Sequence, residues 1–176
     1  MKKLSRDPLL SAGKVMTLIL MGITGLVAIL LVLLVPFLIY HHADFAKTVV
    51  EAGGEFVPAF VISLVLIATA AAIVAMAFHF FQLLGRIIDT VGDGDPFSAD
   101  NAQRLTRMGW IALIFQLASF PIAAMAVYLM KYFPEEKLTV DIEFSLTGVL
   151  LAILLFILAR VFRHGAAMRA DLEGTV

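Results

Sequence analysis

Four runs of the chain contain no Asp, Glu, Lys or Arg, and they constrain the fold more than any other feature. They cover residues 15–40, 56–85, 108–130 and 144–159. A helix rises about 1.5 Å per residue, so about 20 apolar residues cross a hydrocarbon core of about 30 Å. A hydrophobic content of 61% in 176 residues also exceeds what one soluble domain can bury. We therefore predict an all-α integral membrane four-helix bundle that forms a single domain.

The predicted spans cover approximately residues 15–40, 57–85, 107–131 and 145–162. A basic leader followed by an apolar run also describes a secretory signal peptide, but the first run exceeds the ~7–15 apolar residues of such signals, which favours a retained span. The fourth run is short, and Arg160 and Arg163 are expected to snorkel and lengthen it. Residues 138–144 alternate apolar and polar side chains, which predicts a short extracytoplasmic strand.

Lysine and arginine are distributed unevenly among the polar segments. Ten of the 13 lie in the leader, in residues 86–107, or at the end of the fourth span and in the tail. The other three are Lys47, Lys131 and Lys137. Cytoplasmic segments of membrane proteins carry the excess of these residues. We therefore predict that both termini and loop 86–106 are cytoplasmic.

The densest group of turn-forming and acidic residues occupies positions 92–101, between the second and third spans. Ser98 is well placed to cap the N terminus of the next helix, with Asp100 favourably set in its first turn. Phe97, just before the cap, is expected to staple the start of that helix. The stretch therefore predicts a tight turn followed by a capped helix.

The predicted cytoplasmic face is rich in arginine. Its members are Arg86, Arg104, Arg107, Arg160, Arg163 and Arg169. Such a face suits anionic lipid or an acidic partner, although topology alone also places arginines there. We further expect an ion pair across the bundle between Asp93 or Asp95 and one of the arginines at the end of the fourth span, Arg160 or Arg163.

The sequence contains few candidates for catalytic or metal-binding residues. The chain has no cysteine, which excludes thiolate catalysis and Cys-based metal sites. His79 is the ionisable side chain well inside a span and Gln116 is an intramembrane amide; such groups are functional candidates, although a neutral histidine bonded to a neighbouring helix explains His79 equally well. His41, His42 and Asp44 lack a third strong ligand at a standard spacing. No nucleophile–base set, phosphate-binding glycine loop or zinc-protease motif is present. We predict no metal, no cofactor and no enzymatic activity.

The second span carries small residues at helical spacing. Ala68 and Ala72 form a small-xxx-small pair that allows another helix to approach closely. The pair fits the seam of a homo-oligomer or a contact with another span of the same chain, and the second interpretation is favoured.

Two stretches carry a recognisable pattern. The first has Gly94, Pro96, Phe97, Asn101, Leu105 and Gly109, and the second has Phe162, Gly165, Asp171, Thr175 and Val176. They resemble the G-x-PF-xxx-N-xxx-L-xxx-G and F-xx-G-xx-L-xx-D-xxx-T-V signatures of a bacterial membrane family known as domain of unknown function 2975. Met168 stands where that family more often has Leu. The resemblance implies a bacterial inner-membrane protein without an assigned activity. Family members encoded beside a small helix-turn-helix regulator suggest a membrane partner for a DNA-binding protein, without direct nucleic-acid contact.

Both stretches fall on the same predicted face of the membrane, where they would cap the ends of three spans and form one surface. The residues predicted to bind a partner there are Asp93, Asp95, Pro96, Phe97, Asn101, Arg104, Phe162, Arg163, Gly165 and Asp171. The alternative is a small transporter or channel-like subunit, which needs polar groups at mid-depth. At mid-depth the spans offer only Thr24, Ser63, Thr69, Gln116 and Ser119. This scarcity favours the partner hypothesis.

Overall fold

The computed structural model describes residues 7–133 and 145–173. Their order is α1 (Pro8–Tyr40), α2 (His42–Glu51), α3 (Phe56–Gly92), α4 (Ala99–Met130) and α5 (Leu146–Glu173). The described part of the chain contains helices and no strand, so the predicted all-α fold is confirmed. The strand predicted at 138–144 lies outside the described residues.

Four of the helices, α1, α3, α4 and α5, are long and apolar enough to cross a membrane. They have 33, 37, 32 and 28 residues, all more than the ~20 that a bilayer core requires. At about 1.5 Å per residue α3 is about 55 Å long, so its ends extend beyond the hydrocarbon. The lengths and apolar composition of these four helices identify the chain as a multi-pass membrane protein.

Local sequence signals explain where α1 starts and stops. The carboxylate of Asp7 accepts a hydrogen bond of 2.9 Å from the backbone N–H of Leu9, and Pro8 occupies the first helical position. Proline is favoured there because its missing N–H has no partner in the first turn. The other proline, Pro36, lies inside α1, which ends one turn later at Tyr40.

The chain forms two compact units. The first comprises the described parts of Met1–Ile23, Met76–Gln116 and Ser145–Val176. Its core is a cluster of aliphatic side chains from α3, α4 and α5. The buried members are Leu83, Ile87, Leu105, Met108, Ile111, Ala112, Ala152, Leu155 and Ala159. Burial of this cluster holds the three helices together in a bundle.

Glycines in this unit allow neighbouring helices to pack directly against the backbone. A Cβ added at Gly109 of α4 would lie 2.9 Å from Cε1 of Phe156, so the ring of this α5 residue rests on the backbone of α4. Trp110 meets the same ring edge-on, with centroids 5.5 Å apart. On the other side, a Cβ at Gly85 of α3 would lie 3.5 Å from Cγ2 of Thr17 in α1. These small residues allow tight packing in a helical membrane protein.

The second unit comprises Thr24–Ala75 and the described part of Leu117–Phe144. Four phenylalanine rings cluster in it, with centroids 5.2 to 6.4 Å apart. They are Phe45 of α2, Phe56 and Phe60 of α3, and Phe133 beyond α4. Val49 of α2 is fully buried. The ten-residue helix α2 is thus fixed to this unit by its apolar face.

The turn after α2 depends on glycine. Gly53 has φ +76°, and the N–H of Gly54 donates to the carbonyl of Val49 at 2.8 Å, which closes the helix end. The ring of Tyr132 lies against Gly54, where any Cβ would overlap it. Tyr132 donates its phenolic O–H to Tyr128, and this hydrogen bond raises the pKa of Tyr132. The turn and the end of α4 are therefore packed together.

Candidate functional site

The turn between α3 and α4 is closed by backbone hydrogen bonds. The N–H of Asp95 donates to the carbonyl of Thr90, and the N–H of Gly94 donates to the carbonyl of Val91. Gly94 has φ +84°, a left-handed conformation that residues with a Cβ rarely adopt. This pair of bonds is the Schellman arrangement of a helix end. We call the turn 93–98, the first two turns of α4 (residues 99–105) and residues 160–171 of α5 the polar cap.

The next helix begins with the capping residue that the sequence predicts. The backbone N–H of Asn101 donates to Oγ of Ser98 at 3.2 Å, and α4 starts at Ala99. Ser98 therefore satisfies one of the amides that a helix leaves without an internal partner at its start. The prediction that Ser98 caps this helix is confirmed.

Asn101 connects the parts of the polar cap. Its side chain is fully buried, and Nδ2 donates to Oγ1 of Thr90 at 2.7 Å and to the carbonyl of Pro96 at 2.9 Å. Its Oδ1 accepts a 2.7 Å bond from Nη1 of Arg104. One amide thus joins the end of α3, the turn and the second turn of α4. A buried polar network in which every group is satisfied gives the turn one defined structure.

Phe97 attaches the turn to α5. Its ring lies 5.2 Å, centroid to centroid, from that of Phe162, and a Cβ added at Gly165 would come within 2.8 Å of its Cδ1. Residue 102, where a helix staple would have its partner, is alanine and offers only a methyl group. The aromatic and glycine residues of α5 supply the packing surface instead. Phe97, Phe162 and Gly165 are therefore brought together.

Asp95 makes the ion pair across the unit, but its partner differs from the predicted one. Oδ1 of Asp95 lies 2.6 Å from Nη1 of Arg169, and not next to Arg160 or Arg163. The reason is the position of Phe97: its ring sits on Gly165, so the preceding part of the turn meets the next turn of α5. Both side chains are about half exposed, at 49% and 52%, so the pair adds little stability.

The other predicted partner-binding residues have different surroundings. Pro96 contributes its carbonyl to Asn101, and Arg104 is held through Asn101, as described above. Asp93, Arg163 and Asp171 are exposed on the polar cap. Seven of the ten predicted residues therefore build the polar cap, and these three stand on its surface.

Two basic clefts flank α4. The first lies between α3 and α4 and has a volume of about 220 Å³. Its lining residues are Leu83, Arg86, Asp100, Gln103, Arg104 and Arg107. The second lies between α4 and α5, with a volume of about 480 Å³, and is lined by Thr106, Phe156, Ala159, Arg160, Arg163 and His164. Arginine is thus concentrated where the helices leave their apolar segments.

A third cleft, of about 290 Å³, lies between α1 and α3. Lys14 and Asp89 form an ion pair at its rim, and Thr17, Gln82 and Arg86 contribute to its lining. The two charges of the ion pair compensate each other, which leaves Arg86 as the cation that faces both this cleft and the first basic cleft. The sequence did not indicate the pair, because its members lie on different helices.

The two intramembrane polar candidates are separate from the polar cap and from each other. His79 is exposed on α3, and its Nδ1 lies 3.4 Å from Oε1 of Gln82 on the same helix. Gln116 is nearly buried, and its Oε1 lies against Gly148 of α5, 2.7 Å from where a Cβ would stand. The structure does not combine them into one site. Among residues 7–133 and 145–173 no group of three His, Cys, Asp or Glu side chains is placed to hold a metal ion.

The long apolar helices and the polar cap define the class of protein as a multi-pass α-helical membrane protein. The chain belongs to the family described as protein of unknown function (DUF2975), whose sequence model matches residues 40–176. The match includes both signature stretches and confirms the resemblance. No curated protein and no solved structure matches the chain.

Proposed function

We propose that this chain is a non-catalytic membrane protein of the bacterial inner membrane whose polar cap binds a small cytoplasmic regulator of the helix-turn-helix type. The observation that carries the proposal is that both signature stretches meet in one prebuilt surface, with Asn101 buried and Phe97 seated on Gly165. A surface that is already ordered loses little conformational entropy when it binds, which favours recognition.

The charges on the polar cap favour a protein partner over nucleic acid. The exposed acids Asp93 and Asp171 stand among the exposed bases Arg160 and Arg163. Nucleic-acid surfaces are dense in Lys and Arg because they neutralise phosphates. A mixed surface suits a folded partner with complementary charges. The helix-turn-helix class itself comes from the family resemblance.

The polar cap faces the cytoplasm in this proposal, with both termini on the same side. The uneven distribution of Lys and Arg supports this orientation. The chain lacks cysteine, so single cysteines can be placed at the exposed positions Thr48 and Asp93 and labelled in intact cells with an impermeant maleimide. We expect labelling at position 48 and none at position 93 until the cells are opened. The reverse pattern would exclude the orientation and, with it, a cytoplasmic partner.

The partner itself is tested by site-specific crosslinking in native membranes. A photoreactive residue at Arg163, on the surface of the polar cap, is compared with the same residue at Thr48, on α2. We expect position 163 to crosslink a soluble DNA-binding protein and position 48 to crosslink none. Combined charge reversal at Asp93 and Arg163 should abolish the complex, because both side chains are exposed on the proposed binding surface. It should leave the fold intact, because neither side chain is needed to build the turn. Crosslinks confined to membrane proteins would contradict the proposal.

A transport function receives less support from the spans. Ser63 and Thr69 of α3 donate their hydroxyls to the carbonyls of Ala59 and Val65, four residues earlier in the same helix. Hydroxyls used in this way satisfy their own helix and do not line a path for solutes. Ion conductance above the level of empty liposomes after reconstitution would favour a channel-like subunit.

A further inference from the structure

Three guanidinium groups from two helices converge in the cleft between α3 and α4. Arg86 comes from α3, and Arg104 and Arg107 come from successive turns of α4. The cleft of about 220 Å³ is large enough for a group of several non-hydrogen atoms, since a water molecule occupies about 30 Å³ in the liquid. The volume and the lining therefore fit a small anionic group.

The positive charge of this cleft is only partly compensated. Asp100 is the acid in its lining, and Oδ2 of Asp100 lies 3.7 Å from Nη2 of Arg104. No acidic side chain of the described residues lies within ion-pair distance of Arg86 or Arg107. About two positive charges therefore remain for a ligand, and arginine is suited to phosphate because its planar donors form paired hydrogen bonds with it.

One of the three arginines is already positioned. The side chain of Arg104 is only 20% exposed, and its Nη1 is fixed by the buried amide of Asn101. A donor that is held before binding loses little side-chain entropy when the ligand arrives. The signature residue Asn101 therefore organises the cleft as well as the turn.

The position of the cleft along α3 and α4 corresponds to the phosphate layer of the membrane. Arg86 is the first charged residue after the run 56–85, and Arg107 is the last before the run 108–130. Trp110, one turn further into α4, is 57% exposed, and exposed tryptophan is typical of the level of the lipid headgroups. The cleft thus lies where each helix passes from hydrocarbon to water.

We propose that the cleft of Arg86, Arg104 and Arg107 binds the phosphate of an anionic phospholipid. Leu83 lines the cleft one helical turn before Arg86, so the acyl chains would extend from the phosphate toward the apolar segment of α3. Basic pockets between spans on the cytoplasmic side are a known form of anionic lipid site. The proposal goes beyond the proposed regulator binding and does not require a regulator, because Arg86 and Arg107 are not among the residues predicted to bind one; Arg104 is the residue that the two proposals share.

The test measures lipid retention by the purified full-length protein. In a maltoside detergent, native mass spectrometry is used to titrate short-chain phosphatidylglycerol, phosphatidylcholine of equal chain length, and inorganic phosphate. We expect the protein to retain phosphatidylglycerol over the other two probes. Arg107→Gln should weaken its binding about tenfold, the effect of losing about one charge-assisted hydrogen bond. Arg107 has no ionic partner among the described residues, so the variant should keep its helicity and its resistance to unfolding; Arg86→Gln repeats the test from the other helix.

Arg160→Gln is the matched control, because it removes one positive charge from the second basic cleft. We expect less than about a threefold change from it, as for an exposed charge outside the site. Equal losses in the two variants would reduce the effect to general surface charge and overturn the proposal. Inorganic phosphate that binds as tightly as phosphatidylglycerol would overturn the assignment to a lipid, and retention of phosphatidylcholine at the same affinity would overturn the assignment to an anion.

Discussion

Substitution of Gly165 by alanine should change the stability of the protein in a direction that depends on the ring of Phe97. Gly165 lies in α5 beneath the ring of Phe97, and an added Cβ would come within 2.8 Å of Cδ1 and 3.0 Å of Cγ. Contacts this short require the ring or the helix to move, and overpacking of this kind costs about 1–3 kcal/mol. Alanine also stabilises a helix relative to glycine by about 1 kcal/mol. Gly165→Ala should therefore destabilise the protein by up to about 2 kcal/mol.

The sign should reverse when the ring is removed. In a Phe97→Ala background the added methyl group meets no ring, so Gly165→Ala should stabilise by up to about 1 kcal/mol. The coupling energy of the double-mutant cycle should then equal the steric term, about 1–3 kcal/mol. Gly22 of α1 is the control, because a Cβ there would meet nothing within 4 Å. Gly22→Ala should have the same effect in both backgrounds.

The assay is unfolding of the purified protein in mixed micelles with rising SDS. Trp110 is the single tryptophan and contacts Phe156 of α5, so its fluorescence reports on the packing of α4 against α5. The unmodified protein and the three variants of the cycle are compared under one two-state treatment. If Gly165→Ala has the same effect with and without the Phe97 ring, the described attachment of the turn to α5 is incorrect.

Three further predictions use the same unfolding assay. Asn101→Leu should cost about 2–4 kcal/mol of stability, because it removes a buried hydrogen-bonding group from its partners. Gln103→Leu, at an exposed position two residues later, is the control and should change stability by less than about 0.5 kcal/mol. Similar losses in the two variants would contradict the role of the buried amide. Gly109→Ala should destabilise by about 1–3 kcal/mol and shift the tryptophan emission, because Phe156 must move; an unshifted spectrum would argue against their contact. Asp95→Asn should cost less than about 1 kcal/mol, since its ion pair is half exposed, and a loss above about 2 kcal/mol would show that the pair is more than a surface contact.

The sequence predicts best what depends on composition and on neighbouring residues. Long charge-free runs identify apolar helices because the bilayer imposes one requirement on every residue of a span. The cap at Ser98 is equally local, since it needs only one hydroxyl next to the start of a helix. The sequence does not predict α2, because its ten residues are too few to form a stable helix by themselves. Tertiary contacts such as those of Phe45 and Val49 stabilise it.

The contacts within the candidate site are not predictable from neighbouring residues. A family signature identifies the residues, but their roles depend on contacts between positions distant in the chain. Nothing local indicates that Asn101 is buried and bonded to Thr90, or that Asp95 reaches Arg169. The helix α5 carries several arginines near its end, and the packing of Phe97 on Gly165 determines that Arg169 is the one that pairs with Asp95.

The attachment of Phe97 to α5 has a consequence for biosynthesis. The ribosome adds about 70 residues after Phe97 before it reaches Gly165, which takes about 4–14 s at about 5–20 residues per second. During that interval the turn between α3 and α4 exists without the helix on which it rests. The ring of Phe97 therefore reaches its final packing only after α5 is made, and a protein that acts during translation meets more of this ring than the mature molecule exposes.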